Sequence, residues 1–327
     1  MEDIEKTKHY TTNSHIICDN LLKYIPNDVI LVEPFVGDGD LLSLFPNHTW
    51  EKYDIEKKND NIVQDTLINK VDVKNKWVIT NPPYLARNKA SDKTVFDLYN
   101  VDDLYKAAIL SILDCEGGIL IIPTNFFTDE RSYSIREQFL STFSVKEVNV
   151  FTKPIFETTT YSICAFAFQR SNYNNDVQNI IFNIKPDNKA VLIELNKEYG
   201  YRIGGEEYSE ILNSNNIFNR LLLEKNTNDY NTCIKLYAID TRDKKIHLEY
   251  DENLFYGKNT DRTYATFVCS KELSKEEQLN LISRFNEYME SFRDKYSDLT
   301  MTNYRDYNRK RISFNFAYHL ASYLLNE

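Results

Sequence analysis

The chain has 327 residues, 42% of them hydrophobic and 27% charged, which fits a folded globular protein and excludes a disordered, collagen-like or coiled-coil one. Its 39 Lys and Arg against 49 Asp and Glu give a net charge of −10, which argues against a protein that simply coats nucleic acid. Residues 1–170 hold 18 basic and 25 acidic side chains and residues 171–327 hold 21 and 24, so any DNA-binding face must be local. Met1 to Lys8 carry three acids and no apolar stretch, and no apolar run approaches the ~18 residues of a membrane span, so neither a secretory signal nor a membrane partner is expected. The five cysteines (Cys18, Cys115, Cys164, Cys233, Cys269) are far apart and form no CxxC pair. No disulfide framework and no metal site are predicted, and a reducing cytoplasm fits best.

In chain order, Val29–Phe35, Trp77–Thr80, Gly118–Pro123, Val145–Phe151 and Ser162–Phe168 read as buried strands, with helical spacing in Tyr105–Leu113 and Ser132–Phe143 between them. Strands alternating with helices predict an α/β fold with a mostly parallel sheet. Composition shifts near residue 170, and all eight prolines lie at or before Pro186. Two domains are therefore expected, 1–170 and 171–327. In the second, Asn179–Ile184 and Ala190–Leu195 are strand-like, and Tyr201-Arg202-Ile203-Gly204-Gly205 reads as a turn. Ser274 and Glu277 form a capping box ahead of a long helix with an apolar face of Leu279, Ile282, Phe285, Met289 and Phe292.

Three segments carry chemistry. In Glu33-Pro34-Phe35-Val36-Gly37-Asp38-Gly39-Asp40 a strand runs into a turn whose glycines let a ligand approach the backbone. Alone this is equally a bland turn. With Tyr53-Asp54-Ile55-Glu56 following, an acid placed to accept from ribose hydroxyls, it points to a nucleoside-type ligand. The third glycine of a dinucleotide fingerprint is replaced by Leu42, and Asp38 and Asp40 would repel phosphate. An acidic loop suits a cofactor that lacks phosphates and has a positive centre, as S-adenosylmethionine does. The third segment, Trp77-Val78-Ile79-Thr80-Asn81-Pro82-Pro83-Tyr84, is an apolar strand ending in Asn-Pro-Pro-Tyr. Each proline restricts the residue before it, so Asn81 and the Pro82 carbonyl become fixed acceptors for an amino group, and Tyr84 supplies a face for a planar ring.

These residues resemble the class I S-adenosylmethionine-dependent DNA methyltransferases that modify adenine N6, in the group with cofactor motifs first, the catalytic motif second and the target-recognition domain last. The resemblance covers residues 8–170. It implies a Rossmann-like class I methyltransferase sheet (1–170) with a smaller mixed α/β target-recognition domain (171–327). In such enzymes Glu33, Phe35, Gly37 and Gly39 would form the methionine-side cofactor loop. Asp54 would take the ribose, Ile55 would lie against the cofactor's adenine, and Asp65 would receive its amino group. Tyr10-Thr11-Thr12 resembles the N-terminal motif near the methionine carboxylate, against the plainer reading of a helix entry. Phe156, with Ser162 and Phe168 six and twelve residues on, resembles the motif whose aromatic packs on the flipped base opposite Tyr84; on its own it reads as core. Two departures stand out: Asp38 where the family usually has a small residue, and a step of only 11 positions from Asp54 to Asp65, too few for the usual helix.

The family implies a flipped adenine, since its amino group cannot be reached in the stack. Asn81 and Pro82 would accept the amino hydrogens, with double-stranded DNA as substrate. The family implies either a restriction–modification system with a cognate restriction endonuclease as partner or a solitary host or viral methyltransferase, and the sequence does not choose. DNA contacts are expected from Arg87 and Lys89 after the turn, and from Arg305, Arg309 and Arg311 in the most basic stretch, where Tyr and Asn are interleaved. The bland alternatives are a solvated loop and a solvated helix end. Two other enzyme readings share the Asn-Pro-Pro-Tyr turn, an RNA-base methyltransferase and a protein-glutamine methyltransferase. A non-catalytic DNA-binding methyltransferase-fold subunit is a different class, and the intact Asn81, Pro82, Tyr84, Gly37 and Gly39 argue against it.

Overall fold

The computed structural model describes residues 14, 17, 19–58, 60–156, 162–223, 230–304 and 309–326. The chain forms two compact units, Met1–Arg202 and Ile203–Glu327. Among the described residues no helix is long and apolar enough to cross a membrane.

In the first unit the strands are β1 (Ile30–Glu33), β2 (Thr49–Asp54), β3 (Ile62–Val63), β4 (Trp77–Thr80), β5 (Gly117–Pro123), β6 (Phe143–Phe151), β7 (Ile163–Arg170), β8 (Val177–Lys185) and β9 (Lys189–Asn196). The helices are α1 (Thr94–Tyr99), α2 (Leu104–Ser111), α3 (Asn125–Thr128) and α4 (Tyr133–Thr142). They build one sheet in the order β3-β2-β1-β4-β5-β7-β6-β8-β9. β1 to β5 are mutually parallel, β7 runs antiparallel between β5 and β6, and β8 is parallel to β6. This is the Rossmann-like α/β fold expected from the sequence, with its strand order reversing direction beside β1. β4 and β5 are buried along their whole length, which is why they read as unbroken apolar runs. A cluster of Phe126, Phe127, Phe139, Phe143, Phe166 and Phe168 fills the space around α3, α4 and β7, with neighbouring rings 4.8–6.3 Å apart.

The unit divides from its neighbour 32 residues later than the shift in composition near 170 suggests, because β8 and β9 continue the first sheet. Ile180, Phe182 and Ile184 alternate on β8 and need a sheet face to cover them. The buried Gln178 fixes the join. It accepts from Val145 N (2.9 Å) and donates to the Leu140 and Phe143 carbonyls (2.8 and 2.9 Å).

Close strand packing makes one glycine indispensable. Gly118 has φ +157°, and a Cβ there would stand 1.8 Å from the Val78 carbonyl oxygen of the adjacent strand. Gly118→Ala is expected to cost about 4 kcal/mol or more, because β4 and β5 would have to separate. Urea denaturation followed by circular dichroism measures this; a loss below about 1 kcal/mol would contradict the packing described.

The second unit contains α5 (Gly205–Leu212), β10 (Phe218–Arg220), β11 (Tyr230–Tyr237), β12 (His247–Tyr250), β13 (Tyr264–Cys269), α6 (Lys275–Lys295), β14 (Thr302–Tyr304), β15 (Arg309–Arg311) and α7 (Phe314–Asn326). It is a mixed α/β unit with an antiparallel sheet in the order β10-β13-β11-β12. The capping box at Ser274 and Glu277 opens α6 as expected. The buried stripe of α6 is Leu281, Phe285, Met289 and Phe292; Leu279 is exposed, so the predicted face was rotated at its first turn. Arg293, buried near the end of α6, is held by both oxygens of Asp240 (2.7 and 2.8 Å) and by Asp298 (2.5 Å). The predicted turn at Tyr201–Gly205 is present, with Gly204 at φ +66° ahead of α5.

Candidate functional site

Parallel strands place all their carboxyl ends on one edge of the sheet, and the predicted residues of the first unit follow those ends. Glu33 closes β1, Asp54 closes β2, Asp65 follows β3, and Asn81 follows β4. The crevice outside the carboxyl ends, where strand order reverses, is the usual ligand position in open α/β sheets.

The glycine turn is tied to its neighbours by backbone and carboxylate bonds. Val36 N donates to the Tyr53 carbonyl (2.8 Å), and Gly37 N donates to Asp54 Oδ2 (2.9 Å). Asp54 Oδ1 accepts from Glu56 N (2.9 Å), so this side chain first shapes the loops on either side of it. Gly37 and Gly39 have φ +53° and +85°, and a Cβ on Gly37 would meet nothing closer than 4.0 Å. The turn thus needs glycine for its backbone and leaves open space above it. A 3-10 turn, Leu42–Leu44, follows in place of a full helix. No helix N-terminus is therefore offered there to a pyrophosphate. Asp38, the departure from the family pattern, is ion-paired to Lys58 at 2.7 Å. Phe35 is half-buried, and Ile55 is exposed, an apolar side chain beside the Asp54 strand end.

The short spacing between Asp54 and Asp65 is explained by a loop and the two-residue β3 in place of a helix. Gln64 N donates to the Asp54 carbonyl (2.8 Å) and Thr66 Oγ1 to the Pro34 carbonyl (3.1 Å). Asp65 is thereby brought beside Asp54 and the glycine turn, although its Oδ1 also accepts from Leu67 N and Ile68 N (3.1 and 3.2 Å).

Glu33 is the most unusual group in the unit. It is 1% exposed; its Oε1 accepts from Thr80 Oγ1 (2.5 Å) and Phe35 N (3.2 Å), while its buried Oε2 has no hydrogen-bond partner among the described residues. Burial pushes its carboxyl up to about 8, against the two hydrogen bonds that favour the ionised form; nearby Asp54 adds to the rise. A buried acceptor left unsatisfied calls for an explanation, and a ligand donor is one.

Asn81 is half-buried at the mouth of the Asn-Pro-Pro-Tyr turn, with Pro82 buried behind it. Tyr84 corrects the reading made from the turn alone. It is 2% exposed, lies edge-on to Tyr105 at 6.4 Å, and presents no face to solvent. Its hydroxyl lies within hydrogen-bond reach of Asn81 Oδ1 and of the Ile121 carbonyl (2.6 Å), and its single proton serves one of them at a time. Phe156 is also buried, as its plain core reading had it.

After the turn, the chain is stitched to the start of α2. Leu85 N donates to Asp103 Oδ1 (3.1 Å), Arg87 N to the Asp102 carbonyl (2.8 Å) and Leu104 N to the Leu85 carbonyl (3.2 Å). Burial raises the Asp103 carboxyl to about 6. A cavity of about 490 Å³ opens here, lined among others by Arg87, Lys93, Asp103, Lys106 and Arg131. Arg87 pairs with Asp97 at 2.7 Å, and Lys89 is exposed on the same loop. Thr80 and Asp103 were missed from the sequence; the signals were a polar residue ending an apolar strand and an acid one residue before a helical stretch.

In the second unit Arg309 and Arg311 are half-buried in β15, paired with β14, so these two arginines sit on a strand and not at a helix end. Tyr10, Thr11, Thr12 and Arg305 lie outside the described residues. Among the described residues no three His, Cys, Asp or Glu side chains are grouped to hold a metal ion.

No protein-family model matches the sequence, and none of the curated proteins matches it significantly. Among solved structures, the chain is similar to a modification subunit of a putative type I restriction enzyme from Vibrio vulnificus (12% identity, 64% of this chain and 53% of that one, TM-score 0.45). It is also similar to a putative class I S-adenosylmethionine-dependent methyltransferase from Listeria monocytogenes (12% identity, 54% and 65%, TM-score 0.44). A third similarity is to the type IIG restriction endonuclease BpuSI (14% identity, 69% and 36%, TM-score 0.41). The chain thus spans between about a third and two-thirds of the length of these proteins.

Proposed function

We propose that the protein is a site-specific DNA adenine-N6 methyltransferase that uses S-adenosylmethionine. The observation that carries the reading is the convergence, on one sheet edge, of the Asn-Pro-Pro-Tyr turn with a glycine turn and a buried acid whose Oε2 lacks a partner. That donor set fits the cofactor. The open space over Gly37, the acids Asp54 and Asp65, and the exposed Ile55 would hold a nucleoside, and Glu33 Oε2 would accept from a cationic amino group. When bound, S-adenosylmethionine supplies a methyl group activated by its sulfonium.

The chain's own residues then act on the adenine. Asn81 Oδ1 and the Pro82 carbonyl accept the two amino hydrogens, which draws the nitrogen lone pair out of conjugation and orients it. The stiff proline turn keeps both acceptors in place before the base arrives, so little reorganisation is needed. Tyr84, buried beneath them, braces Asn81 through its hydroxyl. Arg87 and Lys89 would meet phosphates beside the extruded nucleotide, and Arg309 and Arg311 those of the recognition site. The first unit would carry cofactor and catalysis, the second target recognition, and a restriction endonuclease would be the partner if the enzyme serves a restriction–modification system.

Asp54→Ala is expected to weaken cofactor binding at least tenfold, roughly the worth of a hydrogen bond to a charged group, because the ribose acceptor and the clamp on Gly37 N go together. Turnover at saturating cofactor should stay within a few-fold. Titration of S-adenosylmethionine by calorimetry, beside a rate measurement, separates the two effects; unchanged affinity would remove Asp54 from the cofactor site. An RNA or protein-glutamine substrate remains an outcome of the transfer assay described below.

A further inference from the structure

Glu33 and Thr80 end adjacent parallel strands, in the register Leu31 to Trp77 and Val32 to Val78. Both side chains are 1% exposed, and both belong to segments with separate tasks: Glu33 opens the glycine turn, and Thr80 is the residue before Asn81. We propose that Thr80 is the positioning residue that joins the two, its hydroxyl holding Glu33 so that Oε2 is kept for the cofactor's amino group while its own peptide carries Asn81. The inference rests on the cofactor reading above and adds to it a residue that touches neither cofactor nor substrate.

The geometry supports this assignment on three counts. Both donors to Glu33, the Thr80 hydroxyl at 2.5 Å and the Phe35 amide at 3.2 Å, fall on Oε1. Oε2 is left as the one oxygen open to a new donor. A strand end is rigid, so a carboxylate anchored to it keeps one orientation, whereas a glutamate held by loop atoms alone would rotate. The charge balance is also informative. Among the described ion pairs none includes Glu33, and the like-charged Asp54 adds to the rise of its carboxyl. The hydroxyl is therefore the main local support for the ionised form, and burial makes Glu33 hold its proton near neutral pH when no cation is present. Binding a cation requires that the proton leave to solvent, and Thr80 lowers that cost.

The test uses three readouts on the full chain. In the ligand-free protein, carbon-13 NMR follows the Glu33 carboxyl through pH 5 to 9. Thr80→Val, which keeps the shape and removes the hydroxyl, is expected to raise its midpoint by about one unit. Calorimetry with S-adenosylmethionine at pH 7, in buffers of different ionisation heat, should show close to one proton released by the wild type and affinity about tenfold weaker for Thr80→Val. Thr80→Ser should restore both affinity and midpoint. In a Glu33→Gln background, Thr80→Val should change cofactor affinity no further, which a general packing defect would not reproduce. Thr80→Ala replaces the valine variant should that fail to fold. If the wild type binds no S-adenosylmethionine, the cofactor reading and this inference fall together. If it binds, and Thr80→Val matches it in affinity and in the Glu33 midpoint, this inference alone is overturned.

Discussion

Asn81→Ala is expected to lower methyl transfer by about 10³-fold or more, with cofactor affinity staying within a few-fold. The magnitude follows from the role proposed for Asn81: a preorganised group acting on the reacting nitrogen is worth about 10²–10⁴ in rate. The described supports of the glycine turn lie elsewhere, running from Gly37 to Asp54 and from Phe35 and Thr80 to Glu33. Single-turnover rates with saturating enzyme, beside a binding isotherm for S-adenosylmethionine, give the two numbers. Near-normal turnover in Asn81→Ala would place the chemistry elsewhere.

Glu33→Gln has the second largest expected effect, and it acts in opposite directions on binding and on stability. The amide keeps the shape but cannot offer a negative Oε2 to a cation, so cofactor affinity falls by about 100-fold. Stability moves the other way. In the folded protein the carboxyl is raised to about 8 from the ordinary 4.5, so the folded state retains a proton that the unfolded chain has released. The contribution of Glu33 is most favourable below pH 4.5 and declines as the pH rises to about 8, where burying the charge costs up to about 4 kcal/mol. Glu33→Gln removes this decline. Urea denaturation of the ligand-free protein at pH 5, 7 and 8.5 should show the variant gaining on the wild type as pH rises. A constant difference across that range would mean that Glu33 is not buried as described.

How far the sequence alone revealed these features depended on what each residue was answering to. The strands β1, β4, β5 and β7 were legible because burial on both faces demands continuous apolar runs, and the turn after β4 was legible because two prolines leave the chain so few conformations. β2 escaped notice: Thr49–Asp54 is half-exposed throughout and carries no apolar run. The helix α7 had a readable signal in Phe316, Ala317, Leu320, Ala321 and Leu324, spaced for one buried face, yet its aromatic neighbours blurred it. The boundary at residue 202 was hidden because proline usage and strand pairing are set by different constraints: β8 follows the apolar face offered by β6, whatever the composition around it. At the site, residue types were readable and orientations were not. Tyr84 has the right identity for a stacking face but is turned inward onto Ile121 and Tyr105. The bond from Thr80 to Glu33 spans 47 positions and has no local pattern at all.

Methyl transfer to adenine in DNA is open to direct measurement. Purified protein, labelled S-adenosylmethionine and unmethylated double-stranded DNA are incubated, and the DNA is digested to nucleosides. Label is expected in N6-methyl-2′-deoxyadenosine, and it should be lost in Asn81→Ala. Label in N4-methylcytosine would keep the geometry and change the base. A protein that binds the cofactor but leaves DNA unlabelled, while labelling RNA or a glutamine side chain, would contradict the substrate assigned here.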